Sequence, residues 1–172
     1  MPTNDEPLRF RRVKTADEIA QVARLAREIW REHYVPIIGV EQVDYMLEKF
    51  QSEPAIAGQI AESCEYYVLI HRGSPAGYLA VAPDADRHTL LLSKLYTRRQ
   101  DRGTGLGKAM LRFVEDLCRQ RELDTVRLTV NRHNSRSIAW YSRMGFRNAG
   151  PIVQDISGGF VMDDFRMEKS VG

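Results

Sequence analysis

Arg102-Gly103-Thr104-Gly105-Leu106-Gly107-Lys108 is a basic, glycine-rich segment that links two apolar segments. The segment before it, His88 to Thr97, is strongly apolar and is predicted to be a strand. The segment after it is predicted to be a helix, since its apolar residues recur at helical spacing: Leu106, Met110, Phe113, Val114 and Leu117. A strand, a glycine turn and a helix in this order present backbone N–H groups and a helix N-terminus to an anion. The sequence therefore predicts a phosphate-binding turn.

Three known versions of such a turn differ in the spacing of their glycines. A P-loop needs four residues between its glycines and then Lys-Ser/Thr, whereas three residues separate Gly103 from Gly107 and Ala109 follows Lys108. A dinucleotide-binding fingerprint needs its third glycine at position 108 or 110, which hold Lys108 and Met110. The third version, R/Q-x-x-G-x-G/A, is matched at every specified position from Arg102 to Gly107.

Positive charge is concentrated around this turn. Between positions 94 and 112 there are six basic residues against one acid, Asp101: Lys94, Arg98, Arg99, Arg102, Lys108 and Arg112. The whole chain of 172 residues is nearly balanced, with a formal net charge of +2, so its bulk charge does not indicate a nucleic-acid partner. A polyphosphate ligand suits the local excess.

The region before His88 is predicted to contain a strand, helices and a hairpin. The strand is Leu8 to Val13, and Thr15 with Glu18 forms a capping box that opens a helix running to about His33. Pro36 and Gly39 are expected to end that helix. Two shorter helices and a hairpin follow: a helix carrying Val43, Met46, Leu47 and Phe50, a second at Pro54 to Ala61, and strands Tyr66 to Ile70 and Gly77 to Val81.

The region after the turn helix is predicted to alternate strands with one more helix. Val126 to Val130 is a strand, and Asn134 caps a helix over Ser135 to Met144 that stops at Gly145. Two short strands end the chain, Phe146 to Ala149 and Phe160 to Lys169, separated by a stretch with a Gly158-Gly159 turn.

A second motif lies on these last elements. Val130, Asn134, Tyr141, Gly145 and Phe146 occupy the fixed positions of V-x-x-x-N-x-x-A-x-x-x-Y-x-x-x-G-F, with Ser137 at the alanine position. With both motifs, the chain resembles, over about its whole length, the GNAT superfamily of acetyl-coenzyme A-dependent N-acetyltransferases. The resemblance implies a single N-acetyltransferase domain over residues 1–172. It implies an α/β (α+β) fold: a mixed, mostly antiparallel twisted sheet of six to seven strands flanked by about four helices.

The resemblance also implies where acetyl-coenzyme A binds. The backbone of the turn wraps the pyrophosphate, through Arg102, Gly103, Thr104, Gly105, Leu106, Gly107 and Lys108. The backbone of Leu95, Tyr96 and Thr97 holds the pantetheine arm like an extra strand, and Asn134 contacts the pantetheine or pyrophosphate region. The coenzyme is expected between the Arg102 turn and the Asn134 helix.

Two residues are assigned to catalysis by the same resemblance. Tyr141 matches the general acid that protonates the leaving thiolate. Ser93 stands where many relatives have a glutamate, so it is a poor base that relays a proton through water. The other candidates for the base are His88, His133, Asp155, Asp163 and Asp164.

The acceptor is expected to be a primary amine. The variable segment Tyr34 to Ala61 offers aromatic and anionic side chains: Tyr45, Glu48, Phe50 and Glu53. The Asp44 to Glu48 helix and the Met162 to Asp164 strand are similar to those of bacterial polyamine acetyltransferases, so spermidine or another small polyamine is the first expectation. A protein N-terminus or lysine side chain is the alternative, and a non-catalytic coenzyme A sensor is a second.

Other features bound the cellular setting and the partners. Cys64 and Cys118 are isolated, so no zinc site, disulfide or other metal is expected. Met1 to Pro7 is polar and acidic, and the longest apolar runs are five residues each, so neither a secretion signal nor a membrane span is expected. The protein is therefore expected to be cytoplasmic. An exposed Trp30, Tyr34 or the terminal strand is a possible surface for a homodimer.

Overall fold

The computed structural model describes residues 8–172, which form seven strands and five α-helices. In chain order the elements are β1 Arg9–Arg12, α1 Ala16–Ile38, α2 Val40–Gln51, α3 Glu53–Ala61, β2 Glu65–His71, β3 Ser74–Asp84, β4 Thr89–Thr97, α4 Leu106–Gln120, β5 Thr125–Asn131, α5 Ser135–Arg143, β6 Arg147–Asp155 and β7 Val161–Ser170. Short 3₁₀ turns lie at Ala85–Arg87 and Arg99–Asp101. The prediction for Met1 to Pro7 concerns residues outside this range.

The strands form one mixed sheet in the order β1-β2-β3-β4-β5-β7-β6. β1 with β2, β2 with β3, β5 with β7 and β6 with β7 are antiparallel pairs. β4 and β5 are parallel, with Thr89–Leu91 opposite Thr125–Arg127. The predicted mixed, mostly antiparallel sheet flanked by helices is therefore confirmed, with seven strands.

The chain divides into two compact units, the first comprising residues 8–82 and Lys94–Phe113. Because successive side chains of a strand point to opposite faces, neighbouring residues of β2 pack on different helices. Tyr66 is fully buried and hydrogen-bonds Gln51 of α2 and Gln59 of α3. Tyr67 packs on Phe113 of α4 with ring centroids 4.9 Å apart. Helices therefore cover both faces of this part of the sheet.

The second unit comprises Pro83–Ser93 and Val114–Gly172. β5 alternates buried and more exposed residues, with Val126, Leu128 and Val130 turned inward. β7 pairs with β5 along seven residues and contributes the fully buried Met167. The Gly158-Gly159 turn joins β6 to β7, as predicted.

The structure corrects two predicted boundaries. Pro36 does not end the first helix, which continues to Ile38; Gly39 ends it, with φ +85°, and donates its N–H to the carbonyl of Val35 at 3.0 Å. Proline in the last turn removes one hydrogen bond without preventing the helical conformation of its own residue. β6 continues to Asp155 rather than ending at Ala149, because a bulge leaves Ala149 without a partner and pairing with β7 resumes at Gly150, whose φ is +117°.

The described residues were also compared with the requirements of a membrane-spanning helix, a metal site and a disulfide. Within residues 8–172 no helix is both long and apolar enough to cross a membrane. That same range contains no group of three or more His, Cys, Asp or Glu side chains arranged to hold a metal ion. Cys118 is buried and Cys64 is half-buried, and both are free thiols.

Candidate functional site

The glycine turn has a backbone conformation that only glycine adopts easily. Gly103 has φ +79° and Gly105 has φ +82°, both in the left-handed region. A Cβ atom at either position would meet no atom within 4 Å, so the conformation and not the space requires glycine. The hydroxyl of Thr104 donates to the carbonyl of Asp101 at 2.7 Å and closes the turn.

The turn leads directly into the N-terminus of α4. The N–H of Ala109 donates to the carbonyl of Gly105 at 3.2 Å. Helix geometry leaves the first N–H groups of α4 without intrahelical acceptors, and the helix dipole adds partial positive charge there. Leu106 is 4% exposed and Met110 is fully buried, so the helix is anchored while Gly103–Gly105 stay exposed. This arrangement can bind an anionic group.

The six basic residues counted around the turn do not all contribute to its charge. Arg99, Arg102, Lys108 and Arg112 are exposed. Arg98 forms an ion pair with Glu28 at 3.4 Å, and burial lowers the pKa of Lys94 to about 8. The positive surface near the turn is therefore carried mainly by the four exposed side chains.

The end of β4 is held closely by β3. A Cβ atom at Gly77 would lie 2.2 Å from the carbonyl oxygen of Tyr96, so the two backbones approach more closely than any other residue allows. The N–H of Arg98 donates to the carbonyl of Ala76 at 2.8 Å. In the described part of the chain, β4 pairs with β5 only through its first three residues, Thr89–Leu91. Ser93, Leu95 and Thr97 are half-buried.

An aromatic cluster, defined as Trp30, Tyr34, Tyr78 and Tyr96, lies on α1, β3 and β4. Tyr96 is edge-on to Trp30 at 5.7 Å and to Tyr34 at 6.1 Å between ring centroids, and lies 5.6 Å from Tyr78. The expectation of an exposed Trp30 for a dimer is wrong, because this side chain is 3% exposed. A position on the inner face of an amphipathic helix explains the burial.

Asn134 caps α5, as predicted. Its side-chain oxygen accepts from the N–H of Ser137 at 3.4 Å, and its carbonyl accepts from the N–H of Ile138 at 3.1 Å. The residue is 4% exposed. Gly145, with φ +97°, follows the C-terminal end of the helix, as predicted.

Tyr141 lies on α5 and is half-buried. Its ring contacts those of Trp140 and Phe146 edge-on, with centroids 5.0 and 5.4 Å away. The N–H of Phe146 also donates to the carbonyl of Tyr141 at 3.0 Å. The ring is therefore held in place by packing, which suits a side chain that has to present its hydroxyl.

The candidate bases have different environments. His88 and His133 are exposed, and Asp155 is exposed and accepts from the N–H of Ser157 at 2.8 Å. Asp163 forms an ion pair with Arg132 at 2.9 Å. Asp164 is 5% exposed, and burial raises its pKa to about 6 while a hydrogen bond from Thr129 lowers it. Of these five groups, Asp164 is the one that is buried.

Two of the four residues expected to contact the acceptor, Tyr45 and Phe50 on α2, have rings close to the side chain of Lys49. The ammonium of Lys49 lies 5.8 Å from the Tyr45 ring centroid and 5.6 Å from that of Phe50. Glu48 and Glu53 are exposed. Sequence analysis did not identify the side-chain contact between Tyr34 and Tyr96, because 62 residues separate them and no local pattern marks it.

Comparison with known proteins gives a consistent result. The model of the acetyltransferase (GNAT) family matches residues 22–146. The chain is 25% identical over 158 residues to the spermidine N(1)-acetyltransferase of Thermoplasma acidophilum, covering 89% of this chain and 91% of that protein. It is 25% identical over 161 residues to an uncharacterized N-acetyltransferase of Lactobacillus delbrueckii subsp. lactis, covering 90% and 92%.

The fold is also found among solved structures. The PaiA N-acetyltransferase from Thermoplasma acidophilum, solved in complex with coenzyme A, superposes with a TM-score of 0.78 at 22% identity. The match covers 96% of this chain and 99% of that one. At this identity the likeness establishes the shared fold.

Proposed function

Because this chain belongs to the acetyltransferase (GNAT) family and is an N-acetyltransferase, we propose that it transfers the acetyl group of acetyl-coenzyme A to a primary amine of a small, polyamine-like acceptor. The observation that carries the proposal is the turn at Arg102–Lys108. Its two left-handed glycines, its exposed N–H groups and the start of α4 form a cradle with the chemistry that a pyrophosphate requires. We propose one catalytic domain, located in the cytoplasm.

The coenzyme supplies a thioester, and the residues of the chain hold it in place. In the proposal the backbone from Arg102 to Lys108 binds the pyrophosphate. The exposed guanidinium of Arg102 and ammonium of Lys108 add charge-assisted contacts to its oxygens. The backbone of Leu95–Thr97 binds the pantetheine arm, and Asn134 contributes a contact in addition to capping α5.

Acetylation of an alkylammonium removes two protons from the nitrogen and adds one to the sulfur. An alkylamine with a pKa of ~10.4 is neutral at pH 7 in about one molecule in a few thousand, so the first proton must leave before the nitrogen attacks the thioester carbon. In the proposal Ser93 relays that proton to water. As the C–S bond breaks, the nitrogen releases its second proton to water and the hydroxyl of Tyr141 donates a proton to the departing thiolate, so that free coenzyme A and an N-acetyl amine leave the site. Tyr141 then takes up a proton from water.

The proposed acceptor class rests on one relative that spans most of the chain. That relative is named for spermidine, a linear aliphatic polyamine, and the match covers 91% of its length. The exposed carboxylates Glu48 and Glu53 on α2 and α3 can attract such a cation over short distances.

The experiment is a measurement of coenzyme A release from acetyl-coenzyme A with a panel of acceptors. The panel contains linear polyamines, amino acids, aminoglycosides and peptides with a free N-terminus. The proposal predicts release that depends on a linear polyamine and exceeds the release seen without acceptor. Release of coenzyme A with peptides alone would show that the acceptor is a peptide and not a polyamine. Tight coenzyme binding without release for any amine would show that the protein is a coenzyme A sensor and not an enzyme.

A further inference from the structure

Two hydroxyl groups lie at the accessible edge of the aromatic cluster. The hydroxyl oxygens of Tyr34 and Tyr96 are 2.8 Å apart, a normal hydrogen-bond distance, and both side chains are half-buried. The other two members lie behind them, since Trp30 is 3% exposed and Tyr78 is fully buried. The pair is therefore the part of the cluster that a small molecule can reach.

Trp30 and Tyr78 form the buried side of the same cluster. The ring of Trp30 is 5.6 Å from that of Tyr34 and 5.7 Å from that of Tyr96 between centroids. Burial raises the pKa of Tyr78 well above its usual value, while a side-chain hydrogen bond with Trp30 lowers it. The hydroxyl pair is therefore the polar feature of the cluster that a ligand can reach.

The position of Tyr96 connects this cluster to the chemistry. Tyr96 lies between Leu95 and Thr97, the residues whose backbone is proposed to hold the pantetheine arm. Because side chains alternate along a strand, the Tyr96 ring leaves β4 on the face opposite to those of its two neighbours, towards α1. A nucleophile bound at the Tyr96 hydroxyl therefore approaches β4 from the α1 side.

We propose that the hydroxyl pair of Tyr34 and Tyr96 binds the acceptor amine and selects linear aliphatic amines. This inference rests on the proposed function and names the residues that set its acceptor specificity. A hydroxyl oxygen accepts N–H bonds from an amine, and aromatic rings pack against the methylene groups of an unbranched chain.

The test compares hydroxyl deletions that keep the rings. Tyr34→Phe and Tyr96→Phe are each expected to raise the KM for spermidine about 10-fold, the effect of losing one hydrogen bond of ~1.4 kcal/mol, with an unchanged KM for acetyl-coenzyme A. The double variant is expected to lose less than the product of the single effects, because the two hydroxyls are coupled. Tyr67→Phe is the matched control, since its hydroxyl bonds Glu65 on the opposite face of the sheet.

A second measurement does not depend on the tyrosine variants folding. The chain contains two tryptophans, Trp30 and Trp140. In a Trp140→Phe variant, spermidine is expected to change the emission of Trp30 in a saturable way, and in a Trp30→Phe variant the emission of Trp140 is expected to stay constant.

The outcomes separate this inference from the proposed function. If the protein acetylates amines but the tyrosine variants behave like Tyr67→Phe, or Trp30 emission does not respond to spermidine, the inference is wrong and the proposed function stands. The same holds if the variants raise the KM equally for polyamines and for peptides, since no selection is then exerted. If the unchanged protein releases no coenzyme A with any amine, the proposed function is wrong and the inference falls with it.

Discussion

The ring of Tyr141 has a packing role as well as a proposed chemical one, because it contacts Trp140 and Phe146. Tyr141→Phe keeps the ring and removes the proposed proton donor. We expect kcat to fall by about 10²–10⁴-fold, the usual contribution of a general acid, with little change in the Kd for acetyl-coenzyme A. Steady-state kinetics and calorimetric titration measure the two quantities. A kcat within twofold of that of the unchanged enzyme would show that Tyr141 is not the proton donor.

The buried carboxyl group of Asp164 makes the stability of the protein depend on pH. Burial raises its pKa to about 6, whereas an unfolded chain has an aspartate pKa of about 3.9. Between these values the native state binds more protons than the unfolded state, so this group makes stability fall as pH rises through that window. Above pH 6 the buried carboxylate keeps the native state less stable than a neutral side chain would.

Asp164→Asn is therefore expected to raise the Tm at pH 7 and to flatten the dependence of Tm on pH between about 4 and 6. Thermal unfolding at a series of pH values measures both effects, and Asp155→Asn, at an exposed aspartate, is the control. An Asp164→Asn variant that is less stable at pH 7 and keeps the original pH profile would show that Asp164 does not cause this pH dependence.

The glycine turn is the element that we propose binds the coenzyme. Gly105→Ala places a Cβ atom on a residue with φ +82°, which costs about 1–2 kcal/mol although the space around it is open. Relief of this strain moves the N–H groups at the start of α4, so we expect both a lower Tm and a higher Kd for acetyl-coenzyme A.

Gly58→Ala is the matched control for this change. Gly58 lies within α3, has open space around it and lacks a positive φ. Alanine there is expected to stabilise the helix by about 0.5–1 kcal/mol and to leave coenzyme binding unchanged. Equal effects of the two substitutions on the Kd would show that the conformation of Gly105 does not matter for binding.

Elements whose signals are local were predicted correctly from the sequence. The Thr15–Glu18 capping box, the Asn134 cap and the Gly158-Gly159 turn each depend on residues a few positions apart. The structure bears out all three. Pro36 was misinterpreted because its fixed φ of about −65° fits a helix, so it removes one hydrogen bond without ending the helix.

Features that depend on distant residues were not predictable in this way. Trp30 packs edge-on against Tyr96 of β4, which in turn contacts Tyr78 of β3, and neither strand is marked by a local pattern near Trp30. The ion pair of Arg98 with Glu28 joins residues from distant parts of the chain, so the charge counted around the turn was too high. Spacing thus predicted the glycine turn and the helix that follows it, whereas the side chains proposed for the acceptor are brought together only by tertiary packing.

For the molecule as a whole, family membership and the shared fold establish an N-acetyltransferase. With a net charge of only +2, we propose that local surfaces attract the substrates: the exposed basic residues near the turn attract the coenzyme, and Glu48 and Glu53 attract the amine. The central claim is therefore one reaction that joins both substrates.

That claim is tested most directly by mass spectrometry of the amine after incubation with the protein, acetyl-coenzyme A and spermidine. We expect a monoacetylated spermidine that forms in proportion to enzyme concentration and is lost, or nearly so, with Tyr141→Phe. Unchanged spermidine in a sample where acetyl-coenzyme A is bound and intact would contradict it.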